Sequence, residues 1–293
     1  LAFFAWWFDT GKKQALFLAA AAFALTLLVK PYTIFYGVPM LWLTGKKFSW
    51  QWRKMFRNRE LWVFAAVSFL PLIGWRIWML QYPEGIPFYK WVFNGDGIRF
   101  RPSFWRWIFG ERLGRLMLGG WGTTLFISGL LAKAHKKENG FILALALGMF
   151  AYVSIIATAS VRHDYYQTLV IPAVALVLAR GVLFLWENEF TNRLLTRLLA
   201  VVVIVWTMIF PFYEIRELYK INHPELLRAG AALDKIAPKD ALVVAPYNGD
   251  TAFLYQTKRS GRPYQTNSIE ELIRLGADFY ISVNLNDPQT LDV

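Results

Sequence analysis

Arg162-His163-Asp164-Tyr165-Tyr166-Gln167 puts a guanidinium, an imidazole, a carboxylate, two phenols and an amide in six consecutive positions. Apolar runs at 141–160 and 168–186 flank it, each long enough to cross a bilayer, so the cluster falls where a hairpin of two membrane helices turns. Lys30-Pro31-Tyr32 interrupts apolar sequence in a similar way, between 14–29 and 34–43. Two readings compete for the first cluster. In one it is an interfacial cap, with Arg162 snorkelling, Asp164 paired to it and the two tyrosines in an aromatic belt. In the other it is a functional site, and the placement of the remaining charges along the chain bears on that choice.

Of the 293 residues, 56% are hydrophobic and 17% aromatic. Several apolar runs reach membrane-spanning length, a pattern expected of a polytopic α-helical membrane protein and not of a soluble domain. A formal charge of +12 invites comparison with nucleic-acid binders. Many of the lysines and arginines lie in short loops between apolar runs, however, and the positive-inside rule accounts for that, so no nucleic-acid partner is expected. There is no cysteine, which excludes disulfides, thiolate metal sites and haem attachment. Three scattered histidines form no pattern of metal ligands, and no cofactor is evident. Leu1 stands inside an apolar run without an initiator methionine or a signal-peptide n-region, so the chain reads as the C-terminal part of a longer protein.

The elements that would position these residues follow from alternation across the membrane. Residues 1–8 read as the end of a helix. Residues 44–60 carry Lys46, Lys47, Arg53, Lys54, Arg57 and Arg59, a strongly cytoplasmic loop, and Lys12 and Lys13 mark the same side. Residues 14–43 are then a hairpin of two short helices turning at Lys30-Pro31, because proline disfavours helix at the residue before it. The rival is one long kinked helix with Lys30 inside the bilayer, which is costly without a partner. Residues 61–80 return outward, with Pro71 and Arg76 as interruptions. An outer aromatic segment follows over 81–115, including an amphipathic interfacial helix around Phe104, Trp105, Trp107 and Phe109. Residues 116–132 go in to a basic turn at Lys133, His135, Lys136 and Lys137, 141–160 come out, and 168–186 go in to Glu187-Asn188-Glu189. Residues 198–212 come out for the last time. This topology places Lys30, the aromatic segment and the Arg162 cluster on one outer face, with the transmembrane domain occupying residues 1–213.

Residues 214–293 have the composition of a soluble domain, expected to be a small extracytoplasmic α/β domain. His223-Pro224-Glu225 starts a helix, with proline at its first position. Residues 241–245 and 279–283 read as strands, and Ser268-Ile-Glu-Glu271 has capping-box spacing, with Gly276 placed to stop the helix it opens. Asn248-Gly249-Asp250 lacks the dinucleotide and P-loop patterns and reads as a strand-to-helix turn.

Leu27-Leu28-Val29-Lys30-Pro31, followed by an apolar helix with Pro39, resembles a segment of the GT-C membrane glycosyltransferases of glycosyltransferase family 39. That group includes bacterial aminoarabinose and mannosyl transferases and the protein O-mannosyltransferases. Arg162 to Gln167, leading into Ile171-Pro172-Ala173, is similar to the family's late hairpin, where a His-x-Tyr-Tyr-like cluster precedes a proline-containing helix. The resemblance covers most of the chain, though its motifs are short. It implies a multi-pass protein of the cytoplasmic membrane, bacterial in kind, that transfers a sugar from a polyprenyl-phosphate carrier with inversion. The acceptor would be a lipid, glycan or protein at the outer face.

On that resemblance Lys30 and Arg162 would hold the carrier phosphate, while Tyr32, His163, Tyr165 and Tyr166 line the pocket for the lipid head or sugar. Fixed cations at the headgroup level stabilise negative charge as it grows on a leaving phosphate. The family's general base is an acidic residue in a first outer loop, expected upstream of Leu1, and a divalent metal bound there stays open. Within this chain Asp164 reads as a salt-bridge partner and Asp96, between two glycines, as a turn residue. Arg99 and Arg101 read as contacts to lipid phosphates. The alternatives are a multi-pass transporter, in which ionisable residues mark a substrate path, and a non-catalytic membrane scaffold.

Overall fold

The structure is a computed structural model of the chain, and it describes residues 1–83, 90–95, 97–132, 136–187, 192–220, 223–264, 268–286 and 288–291. Asp96, Lys133, His135, Asn188 and Glu189 lie outside the described residues, as do the side chains of Lys136 and Lys137. The chain is predominantly helical and divides into two compact units, Leu1–Glu214 and Ile215–Val293.

The first unit begins with α1 (Ala2–Thr10), α2 (Lys13–Val29), α3 (Gly37–Lys47), α4 (Trp52–Arg57) and α5 (Arg59–Met79). Helix α2 packs on α5 and α1, around a core that includes Phe4, Trp7, Leu16, Phe23, Leu27 and Leu43. The first helical pair turns at Lys30, as the proline requires. Lys30 is extended (φ −149°, ψ 104°), and a 3-10 stretch, Pro31–Tyr36, fills the turn before α3 begins. Asn58 caps α5 by accepting from the Leu61 amide at 3.1 Å, satisfying one of the donors a helix start leaves open. Lys47 serves the other kind of end. Its ammonium donates to the carbonyls of Trp7 (3.1 Å) and Phe8 (2.7 Å), near the C-terminus of α1.

The second half of this unit departs from the expected spans. Helix α6 (Pro102–Arg106) runs into a π-helix, Trp107–Met117. The expected span over 116–132 is broken: Gly119 and Gly120 take positive φ (54° and 71°), and only α7 (Gly122–Leu131) follows. Glycine alone enters that backbone region without steric cost, so the pair stops the preceding helix. The expected span over 141–160 is likewise two helices, α8 (Lys136–Ile155) and α9 (Ala157–Arg162), separated at Ile156. The Thr158 amide donates at 3.1 Å to the Phe93 carbonyl, so the segment before α6 supplies the acceptor that an unbroken helix would have offered. Helices α10 (Ile171–Trp186) and α11 (Arg193–Ile215) complete the unit. Among the described residues two helices, α5 and α11, are long and apolar enough to cross a membrane; α2, α7, α8 and α10 contain shorter apolar stretches.

The second unit contains α12 (Pro224–Ile236), β1 (Leu242–Val244), α13 (Ala252–Thr257), β2 (Ser260–Arg262), α14 (Ile269–Arg274), β3 (Phe279–Tyr280) and α15 (Pro288–Leu291). The strands form a parallel sheet in the order β2-β1-β3. Helix α14 is capped by Ser268, whose hydroxyl accepts from the Glu271 amide. Residues 248–250 form the turn from β1 toward α13, and the Asp250 carboxylate accepts from the Ala252 amide at 2.8 Å. Strand β2 was not evident in the sequence, being three residues of Ser-Gly-Arg with no apolar alternation.

Candidate functional site

Two turns meet at the candidate site: Lys30 with its 3-10 stretch, and the 3-10 stretch Asp164–Leu169 that follows α9. Side chains pin them together. The Tyr36 hydroxyl donates to the Leu169 carbonyl at 2.6 Å, the Tyr152 hydroxyl to the Tyr166 carbonyl at 2.8 Å, and the Gln167 amide to the Ser160 carbonyl at 2.9 Å. Tyr166 and Gln167 are buried by this arrangement, while Tyr165 remains exposed.

Lys30 rests on the aromatic faces so positioned. Its ammonium nitrogen is 4.0 Å from the centroid of the Tyr166 ring and 5.0 Å from that of Tyr165, inside the range of cation–π attraction. Tyr32 lies 6.0 Å from Tyr166, centroid to centroid, and Tyr165 lies 4.8 Å from Tyr166. The His163 ring stacks on Tyr165 at 5.2 Å and meets the edge of Trp91 at 5.6 Å. Among the described residues no carboxylate lies within salt-bridge distance of Lys30, so its N–H donors point to no fixed anion. Burial lowers the Lys30 pKa. Burial also raises Tyr32, and it pushes Tyr166 to about 12, with Tyr32 and Tyr165 adding to the effect. The phenols are therefore neutral hydrogen-bonding groups near neutral pH.

Of the six residues read from the sequence, Lys30, Tyr32, His163, Tyr165 and Tyr166 come together through these contacts. Arg162, the last residue of α9, lies exposed beside them in the chain. Asp164 is ion-paired with Arg112, a residue of the π-helix, at 4.0 Å. Arg112 also donates to the Val161 carbonyl at 2.8 Å and keeps only 14% of its side chain exposed. The cluster is thus held by a cation from a distant segment, which only the fold could reveal. Arg99 is likewise engaged within the protein, donating at 3.0 Å to the Ser154 carbonyl. Arg76, read as an interruption of an apolar helix, places its charge near the Tyr32 hydroxyl. Its position four residues from the end of the 61–80 run was the available signal.

An apolar cavity of about 290 Å³ adjoins this region, with Ile108, Phe126, Phe150, Val170 and Val174 among its lining residues. Among the described residues Gln167, next in sequence to Tyr166, is its one polar lining residue. Among the described residues no three His, Asp or Glu side chains gather as a metal site. Comparison with protein-family models, curated proteins and solved structures yields no match.

Proposed function

We propose that the chain is part of a multi-pass membrane glycosyltransferase of the GT-C kind, moving a sugar from a polyprenyl-phosphate carrier to an acceptor at the outer face of a bacterial cytoplasmic membrane. The observation that carries this reading is Lys30: a half-buried ammonium on two tyrosine faces, without a carboxylate partner among the described residues. A cation held in this way is ready for a phosphate, because part of its hydration has already been replaced and its donors are free. The apolar cavity next to Gln167 suits the first units of a prenyl chain. In the reaction the acceptor oxygen attacks the anomeric carbon, the bond from that carbon to the phosphate oxygen breaks, and the phosphate leaves with the electron pair. Lys30 and Arg162 stabilise the charge that grows there. The acceptor proton passes to a general base, an acidic residue in the family that the chain resembles. On this topology residues 214–293 form a small extracytoplasmic α/β domain.

The test is a transfer assay in proteoliposomes on the full-length protein containing this chain, with a panel of polyprenyl-phosphate sugars and detection of released polyprenyl phosphate. Lys30→Ala and Arg162→Ala are each expected to slow release about a hundredfold. Rates within about twofold of the parent for both variants would overturn the assignment. Accumulation of a solute without donor turnover would favour a transporter.

A further inference from the structure

Helices α2 and α5 start side by side. Lys13, at the head of α2, is ion-paired at 3.1 Å with Glu60, at the head of α5. Further along, Phe23 packs against Phe64 and Phe69, at 6.4 and 6.0 Å between ring centroids. The two helices therefore run parallel and in step. Lys30 follows Lys13 by 17 residues and Arg76 follows Glu60 by 16, so at ~1.5 Å of rise per residue both lie about 25 Å from that common start. Trp75 and Trp78, stacked at 4.9 Å, flank Arg76, and Tyr82 lies 5.1 Å from Trp78, an aromatic belt of the kind found at the headgroup level. Arg76 is exposed and meets no carboxylate among the described residues. Its charge reaches the Tyr32 hydroxyl, and the Tyr32 ring lies 6.0 Å from Tyr166, whose face carries Lys30. Snorkelling accounts for an arginine at this depth, but not for its place beside the turn that presents Lys30.

We propose that Arg76 is a second cation of the candidate site, and that with Lys30 it makes the site selective for a phosphate monoester dianion over a phosphodiester. The inference rests on the transferase reading and deepens it. A carrier still joined to its sugar is a phosphodiester with a single negative charge. When the bond from the anomeric carbon to the phosphate oxygen breaks, that oxygen keeps the electron pair, and the carrier leaves as a monoester with a charge of about −1.5 to −2 at pH 7. The Lys30 ammonium matches the first charge, and the fork of guanidinium donors on Arg76 matches the second. Arg76 thus acts more on the leaving group than on the bound donor, and an interaction of that kind raises kcat.

The experiment measures binding of polyprenyl phosphate and of its methyl diester to the full-length protein in proteoliposomes, together with donor turnover. The parent is expected to hold the monoester about tenfold more tightly than the diester. Arg76→Gln should bring the two affinities within about twofold of each other and lower kcat about tenfold, with little change in the KM for the donor. Arg76→Lys, which keeps the charge and loses the fork, should restore part of both. Arg53→Gln removes the same charge from the basic loop at 44–60 and should alter neither, and thermal unfolding in detergent reports whether each variant folds. Equal binding of the two lipids by the parent, or a preference for the monoester that survives Arg76→Gln, overturns the inference and leaves the transferase reading standing. A parent that binds neither lipid and releases no polyprenyl phosphate from any donor overturns both.

Discussion

Lys30 is placed by its neighbour. Pro31 excludes helix at residue 30, the chain turns there, and the ammonium meets Tyr165 and Tyr166 in place of lipid or water. A different charged residue, Arg259, shows how the second unit handles a buried cation. Its guanidinium donates to the carbonyls of Ala237 (2.7 Å) and Pro238 (2.6 Å) at the end of α12, and to Asp234 at 2.8 Å. Asp234 also accepts from Lys239 at 2.7 Å, and the hydrogen bonds from Lys239 and Arg259 hold its carboxyl well below the usual carboxylate range. A carboxylate whose folded pKa is depressed adds stability that is complete above its unfolded pKa, about 3.9, and is lost as pH falls through the folded value. Asp234→Asn should therefore lower the unfolding midpoint of the second unit at neutral pH. The gap between variant and parent should close progressively as the pH is taken below about 4. Denaturation followed at several pH values checks this, and a gap that widened on acidification would contradict the pairing.

Among the described residues, helices α7 and α10 make the most extensive contact between elements. Two glycines permit it. A Cβ on Gly129 would overlap the Val177 carbonyl oxygen, and one on Gly181 would overlap the Leu125 carbonyl oxygen. The relation is reciprocal, each glycine lying against the backbone of the opposite helix, as in close helix crossings built on small residues. Gly181→Ala should destabilise the first unit by about 3 kcal/mol, because backbone on both sides has to separate. Thermal unfolding in detergent or bilayer reads the change, and a loss well under 1 kcal/mol would show that the helices are not so close. The same scale explains the breaks in expected spans. Gly119-Gly120 ends one helix through local backbone freedom, whereas the interruption at Ile156 has no glycine or proline and is stabilised by the tertiary bond from Thr158 to Phe93.

For the whole molecule, the arrangement of apolar surface matters most. Helices α5 and α11 are 21 and 23 residues long and are hardly buried against the rest of the chain. Leu70, Ile73 and Ile77 on α5, and Val201, Val205 and Ile209 on α11, lie open. At about 25 cal/mol per Å² this much bare apolar surface is strongly unfavourable in water and favourable in hydrocarbon. The protein should accordingly remain with the membrane pellet through an alkaline carbonate wash and float with lipid in a density gradient. Release into the supernatant would count against a bilayer setting for the first unit.

Local chemistry carried much of this from the sequence alone. Apolar runs and proline rules gave the helical character, the turn at Lys30 and the start of α12 at Pro224, because helix preference and φ restriction act within a few residues. The change in composition near residue 214 lies beside the division between units at Glu214 and Ile215. The candidate residues Lys30 and Tyr166 could be picked out by type, but their contact could not, since 136 positions separate them and only packing closes that distance. Arg112 at Asp164, Arg76 near Tyr32, the break at Ile156 and strand β2 belong to the tertiary structure for the same reason. Each depends on a partner that is distant in the chain, and residue spacing encodes no such partner.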